Sequence, residues 1–345
     1  MENIHKYLNI TLTGPVSVRQ VNLEDIPEDS FIYIVMGPTG SGKSTFIEAL
    51  GRETAEYHPE KALSISKDSL ESVTQHITAY ELSNVYKELN QIPRSQNLSF
   101  YIIDTPGFAD QKISEMEVLK HLQDFLNSPA ISKRSINAIR FLYFQPVNNV
   151  RLAGSKRLCL SIFKALCSTG IGQNSKIHTA LVTTMWDQLY TERLHKRGEE
   201  IEAELAESQW KNWKDKKSQM LRFDNTCSSA FLIIDKLASL PDFFWITRDV
   251  NLSDRTEIGR LAYTSLVHRI EGLHSQLNIV ETNLKDQTTE ANPELKELYL
   301  KEKREIEAEL TKFEEEMNTF LAGSKRRNRF LKSFDDFKSR LFEVK

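Results

Sequence analysis

The spacing of apolar and polar residues divides the sequence into two parts. Between about residues 30 and 245, short apolar runs alternate with segments of helical periodicity, which predicts a mostly parallel sheet with helices on both faces. After about residue 250 the apolar residues recur every three to four positions, so that only helices are expected. The predicted strands are 31–36, 75–82, 98–103, 137–145 and 177–184, and the predicted helices are 43–51, 112–127, 154–168, 191–217 and 228–239.

These patterns predict three regions along the chain. Residues 1–25 are assigned to an N-terminal arm that can include a short strand, residues 26–245 to an α/β domain, and residues 246–345 to an all-helical region. In the last region, Asn292-Pro293 interrupts the helical pattern, which favours a helical hairpin packed within the molecule. A coiled-coil arm for dimerisation is the alternative.

The end of the helical region is basic and amphipathic. Residues 325–332 contain five lysines and arginines, and apolar residues are interleaved with them and continue to Leu341. Such a helix either lies on an anionic membrane surface or docks its apolar face on the protein. Because Asp335, Asp336 and Glu343 dilute the positive face, docking is favoured over membrane contact.

A glycine-rich stretch with the spacing G-x-x-x-x-G-K-S follows the apolar run at 31–36. It reads Gly37-Pro38-Thr39-Gly40-Ser41-Gly42-Lys43-Ser44, and a helix is predicted from Lys43. A strand, a glycine-rich turn and a helix N-terminus together bring backbone N–H groups to phosphate oxygens. We expect Lys43 to bind the β- and γ-phosphates and Ser44 to bind Mg²⁺. The sequence therefore predicts a nucleoside triphosphate site over Gly37 to Thr45.

A second motif, Asp104-Thr105-Pro106-Gly107, follows the apolar run at 98–103. An aspartate at the end of a buried strand beside the phosphate loop is placed to hold Mg²⁺ through water. Gly107 can offer its N–H to the γ-phosphate and can change its backbone conformation when that phosphate leaves. Lys43 and Gly107 are therefore candidate catalytic residues, and Ser44 and Asp104 are candidate metal ligands.

Two later segments are candidates for binding the base. Thr184 and Asp187 follow the strand predicted at 177–184, and a carboxylate there can accept the two donors on the edge of guanine. Adenine offers no such pair, so GTP is preferred over ATP; the alternative is that Asp187 only caps a helix and the nucleotide is ATP. Ser229 and Ala230 are small residues whose backbone N–H groups can reach the guanine carbonyl.

The composition of the chain bears on its partners, its number of domains and its compartment. A net charge of −3 gives no preference for nucleic acid, and 345 residues are natural for two domains. The three cysteines show no pairing or metal-ligand spacing, and no apolar run is long enough to cross a bilayer. No secretory signal is visible, so the cytosol is the expected compartment.

The motif order resembles that of a known GTPase family. The runs from Met36 to Phe46, Asp104 to Phe108 and Val182 to Asp187 are similar to those of the septin-like group of translation-factor-type GTPases, which includes the immune-associated AIG1/GIMAP proteins. The greatest similarity is to the AIG1-like proteins of mushroom-forming fungi, over about residues 30–240. The resemblance implies a P-loop GTPase domain at 26–245, with Mg²⁺ as cofactor, GTP and GDP as ligands, and dimerisation through this domain.

The same resemblance implies a switch threonine. The stretch Ser69 to Thr74 resembles the segment that precedes the second strand in the family, which makes Thr74 the residue that would close over Mg²⁺ and the γ-phosphate. Thr78 is the competing choice, but it falls inside an alternating strand pattern. Thr74 is therefore the third catalytic candidate and the third metal ligand.

The chain departs from an efficient GTPase at Phe108. Many small GTPases carry a glutamine there to orient the attacking water, which an aromatic side chain cannot do. We therefore expect a switch protein that hydrolyses GTP slowly and is activated by dimerisation or by a partner protein. A GTP-dependent assembly module without hydrolysis is the second hypothesis, and an ATP-binding protein is the third.

Overall fold

The computed structural model describes two compact units. Within the described residues, the first unit lies in 1–113 and 118–250, and the second in 114–117 and 251–345. Among the described helices, none is both long and apolar enough to cross a membrane. The described residues are 7–28, 30–57, 63–65, 76–88, 97–110, 112–128, 131, 139–148, 154–169, 179–214, 218–238, 252–253, 255–286, 289 and 292–322.

The first unit contains a seven-stranded sheet in the order β1-β3-β4-β2-β5-β6-β7. Strands β4, β2, β5, β6 and β7 run parallel, whereas β3 is antiparallel to both β1 and β4. The mostly parallel α/β fold predicted from the sequence is confirmed. The strands are β1 (Thr11–Val21), β2 (Ser30–Met36), β3 (Thr78–Glu88), β4 (Asn97–Asp104), β5 (Ile139–Pro146), β6 (Thr179–Thr184) and β7 (Gln219–Arg222).

Helices cover both faces of this sheet. Successive strand residues point to opposite faces, and on β5 Phe144 packs against Phe46 of α1 while Tyr143 packs against Phe163 of α4. The α1 face also receives α7, whose Phe231 belongs to the same buried cluster as Phe46. The α-helices among the described residues of this unit are α1 (Lys43–Leu50), α2 (Arg52–Tyr57), α3 (Glu115–Asn127), α4 (Gly154–Thr169), α5 (Glu192–Glu204), α6 (Lys211–Lys214) and α7 (Cys227–Ala238). The first three residues of α3 belong to the second unit.

The N-terminal segment is an integral part of the sheet. The sequence assigned residues 1–25 to an arm, whereas Thr11–Val21 forms the edge strand β1 and pairs with β3. The preceding residues bind α7, because the Asp235 carboxylate accepts the backbone N–H of Asn9 at 2.7 Å and of Ile10 at 3.1 Å. Both hydrogen bonds go to Oδ1, and they provide partners for a carboxylate whose residue is only 3% exposed.

The carboxyl end of α7 is held by two cations of the sheet. Arg140, fully buried on β5, donates from Nε to the Leu237 carbonyl at 3.1 Å, and Lys87 of β3 donates to the Ala238 carbonyl at 2.6 Å. The last carbonyl groups of a helix lack partners within the helix and carry partial negative charge. The two cations therefore fix the position of α7 against the sheet.

The long helix expected at 191–217 is interrupted. Helix α5 ends at Glu204, a π-helical turn covers Leu205–Gln209, and α6 begins at Lys211. A π turn inserts one residue into the helical ladder and rotates the register of the next helical residues. Trp210 and Trp213 lie in the core, and both rings contact Phe163.

The described part of the second unit includes a pair of long helices, α8 (Glu257–Leu284) and α9 (Pro293–Ala322), and residues 114–117. The helices share an apolar core that includes Leu266, Ile270, Phe313 and Met317, so they pack on each other within the chain. The predicted basic helix after residue 322 lies outside the described residues. Within this unit the buried Glu115 carboxylate accepts two hydrogen bonds from Arg269, at 2.9 and 2.8 Å, and one from Ser265 at 2.7 Å.

Candidate functional site

The glycine-rich loop connects β2 to α1, as its sequence predicted. Gly42 caps α1 with φ of 89°, a left-handed conformation that favours glycine. Lys43, the first residue of α1, is 6% exposed, and its ammonium group donates to the carbonyls of Gly37 at 3.3 Å and Pro38 at 3.2 Å. The cation therefore lies across the loop that follows β2, where a phosphate-binding lysine is required.

Two polar groups in this loop fit an anionic ligand. Burial lowers the pKa of Lys43, and the nearby carboxylates of Asp104 and Asp110 oppose that shift. The Ser41 hydroxyl is buried without a hydrogen-bond partner among the described residues. A buried cation and an unsatisfied hydroxyl in one loop both gain from a phosphate group.

Ser44 and Asp104 meet at the end of the sheet. Because β2 and β4 are parallel neighbours, their carboxyl ends lie side by side, and the Ser44 hydroxyl donates to Asp104 Oδ2 at 3.2 Å. Asp104 is 1% exposed. Magnesium prefers oxygen ligands and usually takes only one or two from the protein in nucleotide sites. The Ser44 hydroxyl and the Asp104 carboxylate offer two oxygen atoms of this kind.

The segment after Asp104 pairs with the phosphate loop through its backbone. The Thr39 N–H donates to the Phe108 carbonyl at 2.8 Å, and the Phe108 N–H donates to the Gly37 carbonyl at 3.0 Å. The Phe108 side chain is completely buried. Gly107 lies against Thr39 so closely that a Cβ on Gly107 would be 2.3 Å from the Thr39 hydroxyl oxygen. Only glycine fits there in this arrangement.

Thr184 connects the base-binding segment to the phosphate loop. It is the last residue of β6, and its hydroxyl donates to the Ser41 carbonyl at 2.9 Å. A Cβ on Gly42 would lie 3.8 Å from the Thr184 side chain. Thr184 is 1% exposed. Its contact is with the loop, so the structure supports a role in holding two parts of the site together.

Asp187 lies just beyond β6, in a short 3₁₀ turn at Trp186–Gln188, and its side chain is exposed. The turn is held by Trp186, whose indole N–H donates to the Thr183 hydroxyl at 3.1 Å. Asp187 Oδ2 accepts a hydrogen bond from Asn225 Nδ2 at 2.8 Å. Among the described residues, Oδ1 accepts none. A carboxylate so oriented retains acceptor capacity for an external pair of donors.

Asn225 was not found from the sequence. The sequence named the backbone N–H groups of Ser229 and Ala230, but the structure has them donating to Thr226, to its hydroxyl at 3.2 Å and to its carbonyl at 3.1 Å. Asn225 precedes α7 with φ of 57° and is the residue of this turn that reaches Asp187. An asparagine two residues before a helix, after a strand end, was the available signal.

Of the two candidate switch threonines, Thr78 is among the described residues. Thr74 lies outside the described residues. The competing Thr78 is the first residue of β3 and pairs with Asp104 in the antiparallel register. Thr78 therefore lies in the sheet, in agreement with its alternating sequence pattern, and Thr74 stays a prediction.

Comparisons with solved structures give matches that include two structures of one domain. No protein-family model matches this sequence, and no curated protein matches it. The GTPase-like domain of Ski7 from S. cerevisiae, bound to GDP and inorganic phosphate, is 15% identical over 62% of this chain and 46% of that chain, with a TM-score of 0.35. The same domain bound to GTP is 13% identical over 70% and 50%, with a TM-score of 0.34.

This chain therefore matches about half the length of the Ski7 chains at most. The contacts of the phosphate loop and of Asp187, rather than these similarities, support the function that we propose. The resemblance to the immune-associated GTPases stays a prediction from the motifs.

Proposed function

We propose that this chain is a guanine-nucleotide-binding switch protein that binds GTP with Mg²⁺. The observation that carries the proposal is the 2.9 Å hydrogen bond from Thr184 to Ser41, which joins the phosphate loop to the segment that ends in Asp187. On one side of this bond Lys43 would bind phosphates, and on the other side Asp187 would bind a base. One ligand that offers both chemistries is a nucleoside triphosphate.

Guanine is favoured over adenine at the base end. Asp187 can accept both the N1–H and the N2–H₂ donors of guanine, whereas adenine would leave the carboxylate without donors. On the phosphate end, Ser44 and Asp104 would hold Mg²⁺. When bound, this ion neutralises phosphate charge, and Lys43 adds a second cation on the same oxygens.

Hydrolysis is expected to be slow because Phe108 takes the place of a water-orienting glutamine. Its side chain is buried, so it neither contacts nor orients water. We propose that dimerisation through the α/β domain or a partner protein supplies the missing group. Gly107 would then release its contact with the phosphate loop when nucleotide state changes.

Competition binding and single-turnover hydrolysis test this function. With Mg²⁺ present, GTP should displace a labelled guanine nucleotide from the nucleotide-free protein far better than ATP does. Equal competition by ATP would overturn the guanine assignment. In single turnover, the rate constant should rise between two protein concentrations if dimers hydrolyse GTP.

A GTP-dependent assembly module without hydrolysis is the second candidate function. The burial of Phe108 favours it, because the residue that follows Gly107 then offers no group that can orient water. The same single-turnover assay distinguishes the slow GTPase switch from the assembly module. GTP that binds tightly and stays intact at both protein concentrations would select the assembly module.

A further inference from the structure

Arg52 reaches the base end of the site from a distant part of the chain. It is the first residue of α2, and its guanidinium donates hydrogen bonds to Asn225, which lies in the turn before α7 and 173 positions later. One nitrogen, Nη1, donates to the backbone carbonyl of Asn225, and the other, Nη2, donates to Asn225 Oδ1 at 3.0 Å. The planar fork thus holds the backbone and the side chain of one asparagine together.

The amide of Asn225 has its orientation fixed by chemistry on both sides. A guanidinium only donates hydrogen bonds, so the amide oxygen must face Arg52. A carboxylate only accepts them, so the amide nitrogen must face Asp187, to which it donates at 2.8 Å. Arg52, Asn225 and Asp187 therefore form a directional chain in which each group determines the orientation of the next.

We propose that Arg52 is a positioning residue that sets guanine selectivity through Asn225 and Asp187. Arg52 would act on the base only through these two residues, and the proposal rests on the proposed guanine-nucleotide function. Asp187 is exposed, so without the bond from Asn225 its carboxylate would sample several rotamers. Holding it in one orientation before the nucleotide arrives lowers the ordering cost of binding.

Replacing Arg52 should change the part of the nucleotide affinity that comes from the base and not the part that comes from the phosphates. Inosine lacks the 2-amino group of guanine, so ITP can give Asp187 one hydrogen bond instead of two. A loosened carboxylate loses the second bond first, because two parallel bonds demand the stricter geometry. The ratio of GTP affinity to ITP affinity therefore reports the orientation of Asp187, whereas contacts at the phosphates cancel in that ratio.

Titration calorimetry with Mg·GTP and Mg·ITP tests the proposal on the full chain. Arg52→Ala should weaken GTP binding roughly tenfold and ITP binding less than about twofold, as expected for one charge-assisted hydrogen bond. Arg52→Lys keeps the charge without the fork and should give an intermediate ratio. Arg19→Ala removes an exposed ion pair with Glu81 and is the matched control, with both affinities unchanged.

Asn225→Gly provides a second, independent variant. Glycine accepts the left-handed backbone of residue 225 but lacks the amide, so the GTP-to-ITP ratio should fall as in Arg52→Ala. Adding Arg52→Ala to this variant should lower the ratio no further, since the chain is already broken.

Three results would overturn the positioning role. Equal losses of GTP and ITP affinity in Arg52→Ala would show a general effect on the fold. A further drop of the ratio in the double variant would show that Arg52 acts by another route. Wild-type protein that binds GTP no better than ITP, or binds neither, would overturn the guanine function itself, and this outcome is recognised before any variant is measured.

Discussion

Replacing Gly107 with alanine would place a methyl group where Thr39 already lies. The new Cβ would be 2.3 Å from the Thr39 hydroxyl oxygen and 2.7 Å from both its backbone nitrogen and its Cα. Backbone atoms cannot rotate away, so the segment that carries Phe108 must shift. The shift would break the two backbone hydrogen bonds between Phe108 and the phosphate loop, at 2.8 and 3.0 Å.

The loss of stability in Gly107→Ala can be estimated from these contacts. Each lost hydrogen bond costs about 1 kcal/mol, and forcing a methyl group into a packed site costs about 1–3 kcal/mol. We therefore expect Gly107→Ala to lower the free energy of unfolding by about 3–5 kcal/mol. At about 2–4 °C per kcal/mol for a domain of this size, the unfolding temperature should fall by roughly 6 °C or more.

Differential scanning fluorimetry of the nucleotide-free protein measures this change. Gly154→Ala is the control, because a Cβ at Gly154 meets no atom within 4 Å. Thr39→Gly in the Gly107→Ala background removes the hydroxyl contact and leaves the two backbone contacts, so rescue should be partial. An unfolding temperature for Gly107→Ala within about 2 °C of the control would refute the close packing of Gly107 on Thr39.

Three further predictions rest on single contacts. Asp187→Asn should shift the preference from GTP toward XTP in competition binding, because an amide can accept from N1–H and donate to the xanthine 2-oxygen; unchanged GTP affinity would exclude Asp187 from the base site. Lys43→Met should abolish Mg·GTP binding yet raise the thermal stability of the nucleotide-free protein, since it removes a buried cation whose pKa is lowered. The unfolded chain binds that proton more readily, so the advantage should shrink as the pH rises toward 10.5 and disappear above it; an advantage independent of pH would contradict this origin. Glu115→Ala should destabilise the second unit by about 3 kcal/mol, because it leaves the Arg269 guanidinium without its buried partner; urea denaturation followed on α8 and α9 checks it, and an unchanged transition would count against the pair.

Local patterns in the sequence were sufficient for the phosphate end of the site. The strand, loop and helix around Lys43 are contiguous, and each carries its own signal in apolar runs and glycine spacing. Asp104 could be placed beside Ser44 because parallel neighbouring strands end at the same edge. The π turn that interrupts the helix predicted at 191–217 left no such signal.

The parts that were missed depend on distant contacts or on short elements. Strand β7 has four residues with polar side chains at both ends, too few for a period to be recognised. Strand β1 contains Gly14 and Pro15, which obscure its alternation. Asn225 has a local signal in its place before a helix, but its role depends on Arg52 and Asp187, which are far from it in sequence. No local pattern can signal such a contact.

The binding of Asn9 and Ile10 to Asp235 has a consequence for biosynthesis. These residues leave the ribosome 226 and 225 positions ahead of their partner, so they must wait until almost the whole first unit has been made. Chain segments with such distant partners fold late and expose unpaired groups in the meantime. Asn9 and Ile10 are thus secured long after they are made, and a nascent chain stalled before Asp235 would leave them exposed to chaperones and proteases.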